Sequence, residues 1–335
     1  MSDPIVGRGI ESILSNVENV FGGRRVLVTG GAGFIGSWLC DILLACNAHV
    51  TCVDNLSSGR LENVGHLIGR EGFKLVNADV NKWSSDEVFD FIVHCASTPS
   101  PEDYMSRPVE TALTNSIGLL SLLEYCRRKG STLLFTSTSE VYGDAAVIPT
   151  PEEYYGYVNP VGLRSCYDES KRFGEALCMA YFRQYNVDVR IARIFNSYGP
   201  RLDVKARYAR VIPKFIGQAL RNEPITVHGD GRQTRSFAYI TDTLTALAKM
   251  LAREEVRGEA VNIGNPHEIS IFELANMIIK LTGSSSKIVF TEPRPDDPKR
   301  RCPDIGKAKK LLGWEPRVQL EEGLKYTIEW FRRRI

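Results

Sequence analysis

Nowhere does this chain run eighteen apolar residues together, so no stretch of it is long enough to span a bilayer as a single helix. No two of its eight cysteines, Cys40, Cys46, Cys52, Cys95, Cys126, Cys166, Cys178 and Cys302, stand in CxxC spacing. That argues against a thiol metal knuckle or a dithiol redox pair, and thiols set in apolar segments read as buried and reduced. Charge of neither sign dominates: 42 Lys and Arg stand against 40 Asp and Glu, for a net charge of +2. Such a balance gives no global footprint for nucleic acid or an anionic membrane. The opening MSDPIVGRGIESIL lacks a cationic start followed by an apolar stretch. These absences predict a cytoplasmic protein with no nucleic acid, membrane or metal partner, whose specificity resides in local sites.

What is present is alternation. From Arg25 onward, short β-branched runs (VLVTG, HVTCVD, DFIVHCA, STLLFTST, VDVRIARIF) are separated by helical patterns such as SWLCDILLACN and ESKRFGEALCMAYFRQYN. The pattern predicts an α/β fold of the Rossmann type, a doubly wound parallel sheet with helices on both faces. After Phe195 it loosens into loops, a helical stretch over Val211 to Arg221, a further strand in VNIGN and helical patterns at 270–282 and 319–333. We therefore expect an N-terminal helical extension over 1–23 and a nucleotide-binding domain over 24–195 plus about 235–265. A smaller mixed substrate-binding lobe is expected from about 196–234 and 266–335. In the extension, Ile10, Ile13, Leu14, Val17, Val20 and Phe21 recur at helical spacing.

VLVTGGAGFIGSWL places Gly30, Gly33 and Gly36 between an apolar strand and a helix. Bare amides at a helix N-terminus, unobstructed by Cβ atoms, suit a pyrophosphate. The next strand ends in Asp54, where a carboxylate binds a ribose diol and repels a 2′-phosphate, favouring NAD over NADP. Arg60, in the loop that follows, softens that preference unless it is simply solvated. Phe34 and Ile35 follow the turn; Asn55, Ser57 and Gly59 follow Asp54; Asp79, Val80 and Ala96 mark two further strand ends suited to the cofactor's two halves.

STLLFTSTSEVYG ends a strand in Ser137, Thr138 and Ser139, at the sheet edge where open α/β folds bind ligands. Tyr167 and Lys171 of YDESK lie one helical turn apart, so their side chains share a face. The ammonium, with a positive nicotinamide ring, is expected to lower the phenol's pKa towards that of a working general base for hydride-transfer chemistry. Glu140 is the oddity: a charge at the end of an apolar strand is costly unless paired or useful. A structural salt bridge is the alternative to a chemical role.

TGGAGFIG, Thr138 with YDESK, and RIFNSYGPR resemble the extended short-chain dehydrogenases that act on nucleotide sugars. The similarity runs from about residue 24 to the C-terminus. Within that family, Ser139-Glu140, ASTPSPEDY, YGYVNPVGLRSCYDESKR and RRCPDIGKAKKLLGWEP resemble the UDP-glucuronic acid decarboxylases, or UDP-xylose synthases. VIPKF (211–215) and Ser170 are closer to the epimerases, whereas Ser236 of TRSF is not, so a UDP-hexose or UDP-hexuronate 4-epimerase stays open. So does a non-catalytic NAD-binding protein of the same fold.

The resemblance implies tightly held NAD, C4 oxidation of UDP-glucuronate, loss of carbon dioxide, protonation at C5 and reduction at C4. It assigns Thr138 to the sugar, Tyr167 to the C4 hydroxyl proton and Lys171 to the nicotinamide ribose. Arg301 is assigned to the carboxylate or C5, and the C5 proton to Arg301 or a water held by Ser139 and Glu140. Tyr104, Asn196, Arg201 and Arg235 are expected along the UDP-sugar cleft, Arg235 gripping phosphate with its planar fork. It further implies a homodimer through the helices starting near Pro108 and Tyr167.

Overall fold

Val26 and Val28 face one way and Leu27 the other, and both faces are fully buried, the pattern of a central parallel strand covered on two sides. The computed structural model describes residues 3–98, 100–202, 210–293 and 298–335. Its elements begin with helix α1 (Pro4–Leu14), strand β1 (Arg25–Thr29), helix α2 (Phe34–Ala45), and strands β2 (His49–Asp54), β3 (Phe73–Asn77) and β4 (Phe91–His94). Helices α3 (Pro101–Ser106) and α4 (Pro108–Leu113), a π-helical stretch at Thr114–Gly118 and helix α5 (Leu119–Lys129) lead to strand β5 (Thr132–Thr138). Helix α6 (Ser165–Tyr185) precedes strands β6 (Val189–Ile194) and β7 (Ser197–Tyr198). Then come α7 (Val211–Leu220), β8 (Ile225–His228), β9 (Thr234–Ser236), β10 (Ala238–Tyr239), α8 (Ile240–Ala252), β11 (Ala260–Ile263) and β12 (Glu268–Ser270). The chain closes with α9 (Ile271–Thr282), β13 (Ile288–Thr291), α10 (Gly306–Leu312) and α11 (Leu320–Arg332).

Seven strands form one sheet in the order β11-β6-β5-β4-β1-β2-β3, all parallel. The order reverses between β1 and β4, which is where such sheets open a crevice at their carboxyl ends. On one face Leu27, Val53, Ile92, Leu133 and Phe135 pack with Leu119, Leu122 and Cys178 of α5 and α6. On the other, Val26, Val28 and Val50 join Trp38 and Leu39 of α2, and the same cluster runs on through α8 to Ile212, Leu274, Leu324 and Phe331. The segments at 196–234 and 266–335 are tied by β8 beside β13, and β9, which straddles the expected boundary at 234–235, pairs with β12. Residues 203–209 and 294–297 of the expected lobe, and Pro99 of ASTPSPEDY, lie outside the described residues.

The N-terminal helix is shorter than its apolar spacing predicts. It starts on the Asp3 cap with Pro4 at its first position and ends at Leu14. Ser15 Oγ and Asn16 Nδ2 both donate back to the Ser12 carbonyl, an alternative to the helical ladder that such side chains favour. Val17, Val20 and Phe21 therefore lie beyond the helix, with Phe21 still fully buried.

Candidate active site

The expected cofactor residues converge because β1, β2, β3 and β4 are parallel neighbours whose carboxyl ends share one edge. Gly30 (φ +69°) turns the chain out of β1, and a Cβ there would stand 2.5 Å from the Ala96 nitrogen after β4. Gly33 caps α2 with no side chain of its own bonded to the first turn, so the amides beside Phe34, Ile35 and Gly36 remain directed outward at the positive end of the helix. Asp54 ends β2, its Oδ2 accepting from Ala32 N at 2.9 Å and its Oδ1 from Leu56 N at 2.8 Å. Asn55 Oδ1 accepts from Ser57 N at 3.0 Å. A Cβ on Gly59 would lie 2.7 Å from the Asp54 carboxylate. Asp79 Oδ1 accepts from Asn81 N at 2.9 Å, and Val80 is buried beside it. A glycine cradle under uncapped amides, with a carboxylate held rigidly next to it, fits NAD.

Beyond β4 the edge continues into the chemical groups. Thr138 closes β5, and its Oγ1 accepts from Glu140 N at 3.3 Å. Ser137, one residue earlier, faces the opposite side and donates to Glu175 Oε1 at 2.5 Å, as the two-residue period of a strand requires. In α6, Lys171 Nζ donates to the Thr136 carbonyl at 2.8 Å and stands over the Phe135 ring at 4.7 Å. Burial lowers its pKa to about 8. The Tyr167 ring lies flat against that of Tyr104, centroids 5.0 Å apart and planes 3° from parallel.

The expected lowering of the Tyr167 pKa is not produced by the chain's own groups. Burial pushes the phenol up to about 12, against the opposing effects of the Thr138 hydroxyl and the Arg210 cation. Lys171 points to a carbonyl, and its Nζ stays 6.0 Å from the Tyr167 ring centre. The positive ring of a bound cofactor is the remaining source of such a shift.

Glu140 sits between two arginines. Arg301 Nη1 donates to its Oε1 at 2.5 Å and Nη2 to its Oε2 at 2.7 Å, while Arg164 Nη2 reaches Oε2 at 2.5 Å. Burial alone would raise the carboxyl, but Arg301 and then Arg164 outweigh it and hold the pKa down at about 2. The salt bridge considered from sequence is thus present, and it joins Glu140 to a residue already expected at the site. Ser139 is buried beside it.

Of the remaining expected residues, Asn196 (φ 25°) bonds the Ser236 carbonyl through Nδ2 at 3.0 Å. Arg235 of β9 is buried and donates to Thr234 O at 2.8 Å. Arg201 does not join the Thr138–Tyr167 group: its Nη2 pairs with Asp41 of α2 at 2.6 Å and its guanidinium covers the Trp38 ring at 5.3 Å. Among the buried polar atoms without a hydrogen-bond partner among the described residues, Tyr104 Oη and Arg301 Nε belong to expected site residues, and Ser97 Oγ, Asp168 Oδ1 and Ser236 Oγ to their chain neighbours. Fixed, desolvated donors and acceptors left over from the fold are what a polar ligand uses.

Sequence reasoning passed over Arg164, Asp168 and Arg210. Arg164 and Asp168 sit one helical turn apart within RSCYDESK, a spacing that was available as a signal. Arg210, a half-buried cation whose charge is felt by Tyr167 and Glu140, carries no local signature beyond preceding an apolar helix.

The family model of the NAD dependent epimerase/dehydratase family matches residues 26–264. UDP-glucuronic acid decarboxylase 1 of Xenopus tropicalis is 50% identical over 312 residues, spanning 93% of this chain and 73% of that protein. UDP-glucuronic acid decarboxylase 5 of Arabidopsis thaliana is 46% identical over 325 residues, spanning 97% and 94%. Among solved structures, a UDP-glucuronic acid 4-epimerase from Bacillus cereus, in complex with UDP-glucuronic acid and NAD, superposes with a TM-score of 0.84 at 30% identity, over 92% of this chain and 99% of that one.

Proposed function

The chain belongs to the NAD dependent epimerase/dehydratase family, and from that premise we propose that it converts UDP-glucuronate to UDP-xylose and carbon dioxide. The observation that carries this reading is Glu140 locked as an anion between Arg164 and Arg301, beside Thr138 and Tyr167. Relatives named as UDP-glucuronic acid decarboxylases, at 46–50% identity over most of the chain, support it.

Gly30, Gly33, Phe34, Ile35, Gly36, Asp54, Asn55, Ser57, Gly59, Asp79, Val80, Ala96, Tyr167 and Lys171 would hold NAD, which would supply a hydride acceptor for C4 and a hydride donor for its later reduction. Tyr167 takes the C4 hydroxyl proton. The 4-keto sugar is a β-keto acid, so its carboxylate leaves as carbon dioxide while the electron pair moves onto the C4 oxygen. Tyr167 and Thr138 donate to that oxygen from fixed positions in a water-poor site, where preorganised donors act most strongly. Glu140, ionised at neutral pH, is no proton donor; it holds Arg301 in place on the C5 side. Tyr104, Ser139 and Asn196 line the sugar, and Arg235 takes the diphosphate. Arg201 acts on the cleft only through the loop it anchors to α2.

The protein is further read as a cytoplasmic homodimer. Val109, Leu113, Ile117 and Leu120 on the α4–α5 segment and Phe173 on α6 are exposed, an apolar stripe at helical spacing suited to pairing with a second copy. Incubation of NAD-loaded protein with UDP-glucuronate tests the reaction: carbon dioxide and UDP-xylose are expected, and UDP-galacturonate as sole product refutes it in favour of epimerisation. Tyr167→Phe should lower turnover by about 10²-fold or more, and unchanged turnover refutes the assigned role.

A further inference from the structure

Loss of carbon dioxide from a carboxylate consumes one proton. The C5–C6 bond breaks, its electrons pass to the C4 oxygen, and C5 must then gain a hydrogen that the leaving group did not bring. Glu140 has none to give, held at about 2. Tyr167's proton came from the C4 hydroxyl and is needed again when C4 is reduced. Arginine keeps its proton at neutral pH.

Asp168 is differently placed. It follows Tyr167 in α6, its side chain is only 8% exposed, and its Oδ2 lies 3.7 Å from Arg164 Nε. Its Oδ1 is buried with no partner among the described residues. Both terminal nitrogens of Arg301 and Nη2 of Arg164 donate to Glu140, so Asp168 shares cations already committed elsewhere. The groups facing it are Arg164 and Glu169 of its own helix, Glu140 from the end of β5, Arg301 from the segment before α10, and Tyr104 from α3. Burial first and the Glu140 charge second lift its pKa to about 7, against Arg164 and Arg301. One cluster thus holds two carboxyls in opposite states, the arrangement by which sites divide acid from base.

Resting on the decarboxylase reading above, we propose that Asp168 is the acid from which C5 draws its proton, passed through water along the Glu140–Arg301 pair. The carboxyl gives up its hydrogen as the C4 enolate collapses to the ketone, and the resulting carboxylate recovers a proton from solvent.

The test follows carbon dioxide and UDP-xylose separately in a single turnover of the NAD-loaded protein across about pH 5.5 to 9. A donor must be protonated to act, so UDP-xylose formation should fall above pH 7, approaching tenfold per unit, while the carbon dioxide burst persists. Asp168→Asn should abolish that fall and slow UDP-xylose formation at least tenfold at pH 6 without losing the burst; Asp168→Glu should restore the fall. If the native protein shows no such split, or Asp168→Asn keeps the alkaline fall or slows both steps alike, the proposal is overturned. Absence of the native pH split overturns the proposal even if the variants do not fold. No carbon dioxide from native protein at any pH overturns the decarboxylase reading and this proposal together, whereas UDP-xylose made with an unsplit profile overturns this proposal alone.

Discussion

At Glu140 the sign of the electrostatics can be followed through to stability. Its pKa falls from 4.5 to about 2 in the folded protein, so its contribution is complete above the unfolded value and is lost as pH drops from 4.5 towards 2. Glu140→Gln leaves two largely buried guanidinium groups without their shared anion, a change that costs roughly 3–5 kcal/mol in comparable buried pairs. Urea unfolding at neutral pH should register that loss, and the native-minus-variant difference should shrink below pH 4.5; a constant difference down to pH 2 contradicts the account. Asp168 works in the other direction. Its folded pKa is raised, so it favours the native state below about 4 and loses that contribution as pH rises through about 7. The same cluster thus opposes unfolding differently on the two sides of its pH range.

At the level of elements, the β1–α2 turn is where conformation and binding depend on one residue. Gly30 has φ +69°, and a Cβ there would meet the Ala96 backbone at 2.5 Å. Gly30→Ala must strain the left-handed backbone by about 1–2 kcal/mol and separate β1's end from β4's. The expected result is a protein that purifies without NAD and melts at lower temperature; retention of NAD at native stoichiometry would refute it. The elements themselves were legible because parallel strands buried on both faces read as unbroken apolar runs, and because helices such as α6 repeat their apolar positions every turn. The end of α1 was not legible, since Ser15 and Asn16 close it by local bonds that hydrophobic spacing does not encode. Nor was the difference between Ser137 and Thr138: both are hydroxyls at one strand end, and only the face each takes separates the Glu175 network from the cleft.

Across the whole molecule, the gathering of the residues expected at the nucleotide was readable because, apart from Tyr167 and Lys171 on α6, each ends or follows one of four neighbouring strands. The charge cluster was only half readable. Glu140 was singled out as a charge ending an apolar strand and Arg301 through the family pattern, but that they touch, and that Arg164 closes the group, depends on three segments brought together by the fold. The apolar stripe on α4–α5 sets one further expectation: native protein should elute at twice the chain mass, and Leu113→Arg with Ile117→Arg should bring it to the mass of a single chain. Elution of the native protein as one chain would contradict the pairing.

The spread of the cluster along the chain has a consequence for how the protein is born. Every residue assigned to NAD, apart from Tyr167 and Lys171, has been synthesised by Ala96, whereas Glu140 waits for Arg301, about two hundred residues beyond Ala96. On a ribosome the crevice for NAD can therefore take shape long before Arg301 is made. The acid–base apparatus cannot close until Arg301 has been added. A nascent chain stalled before residue 301 should bind nucleotide yet turn nothing over, with Glu140 paired to Arg164 but lacking its second arginine.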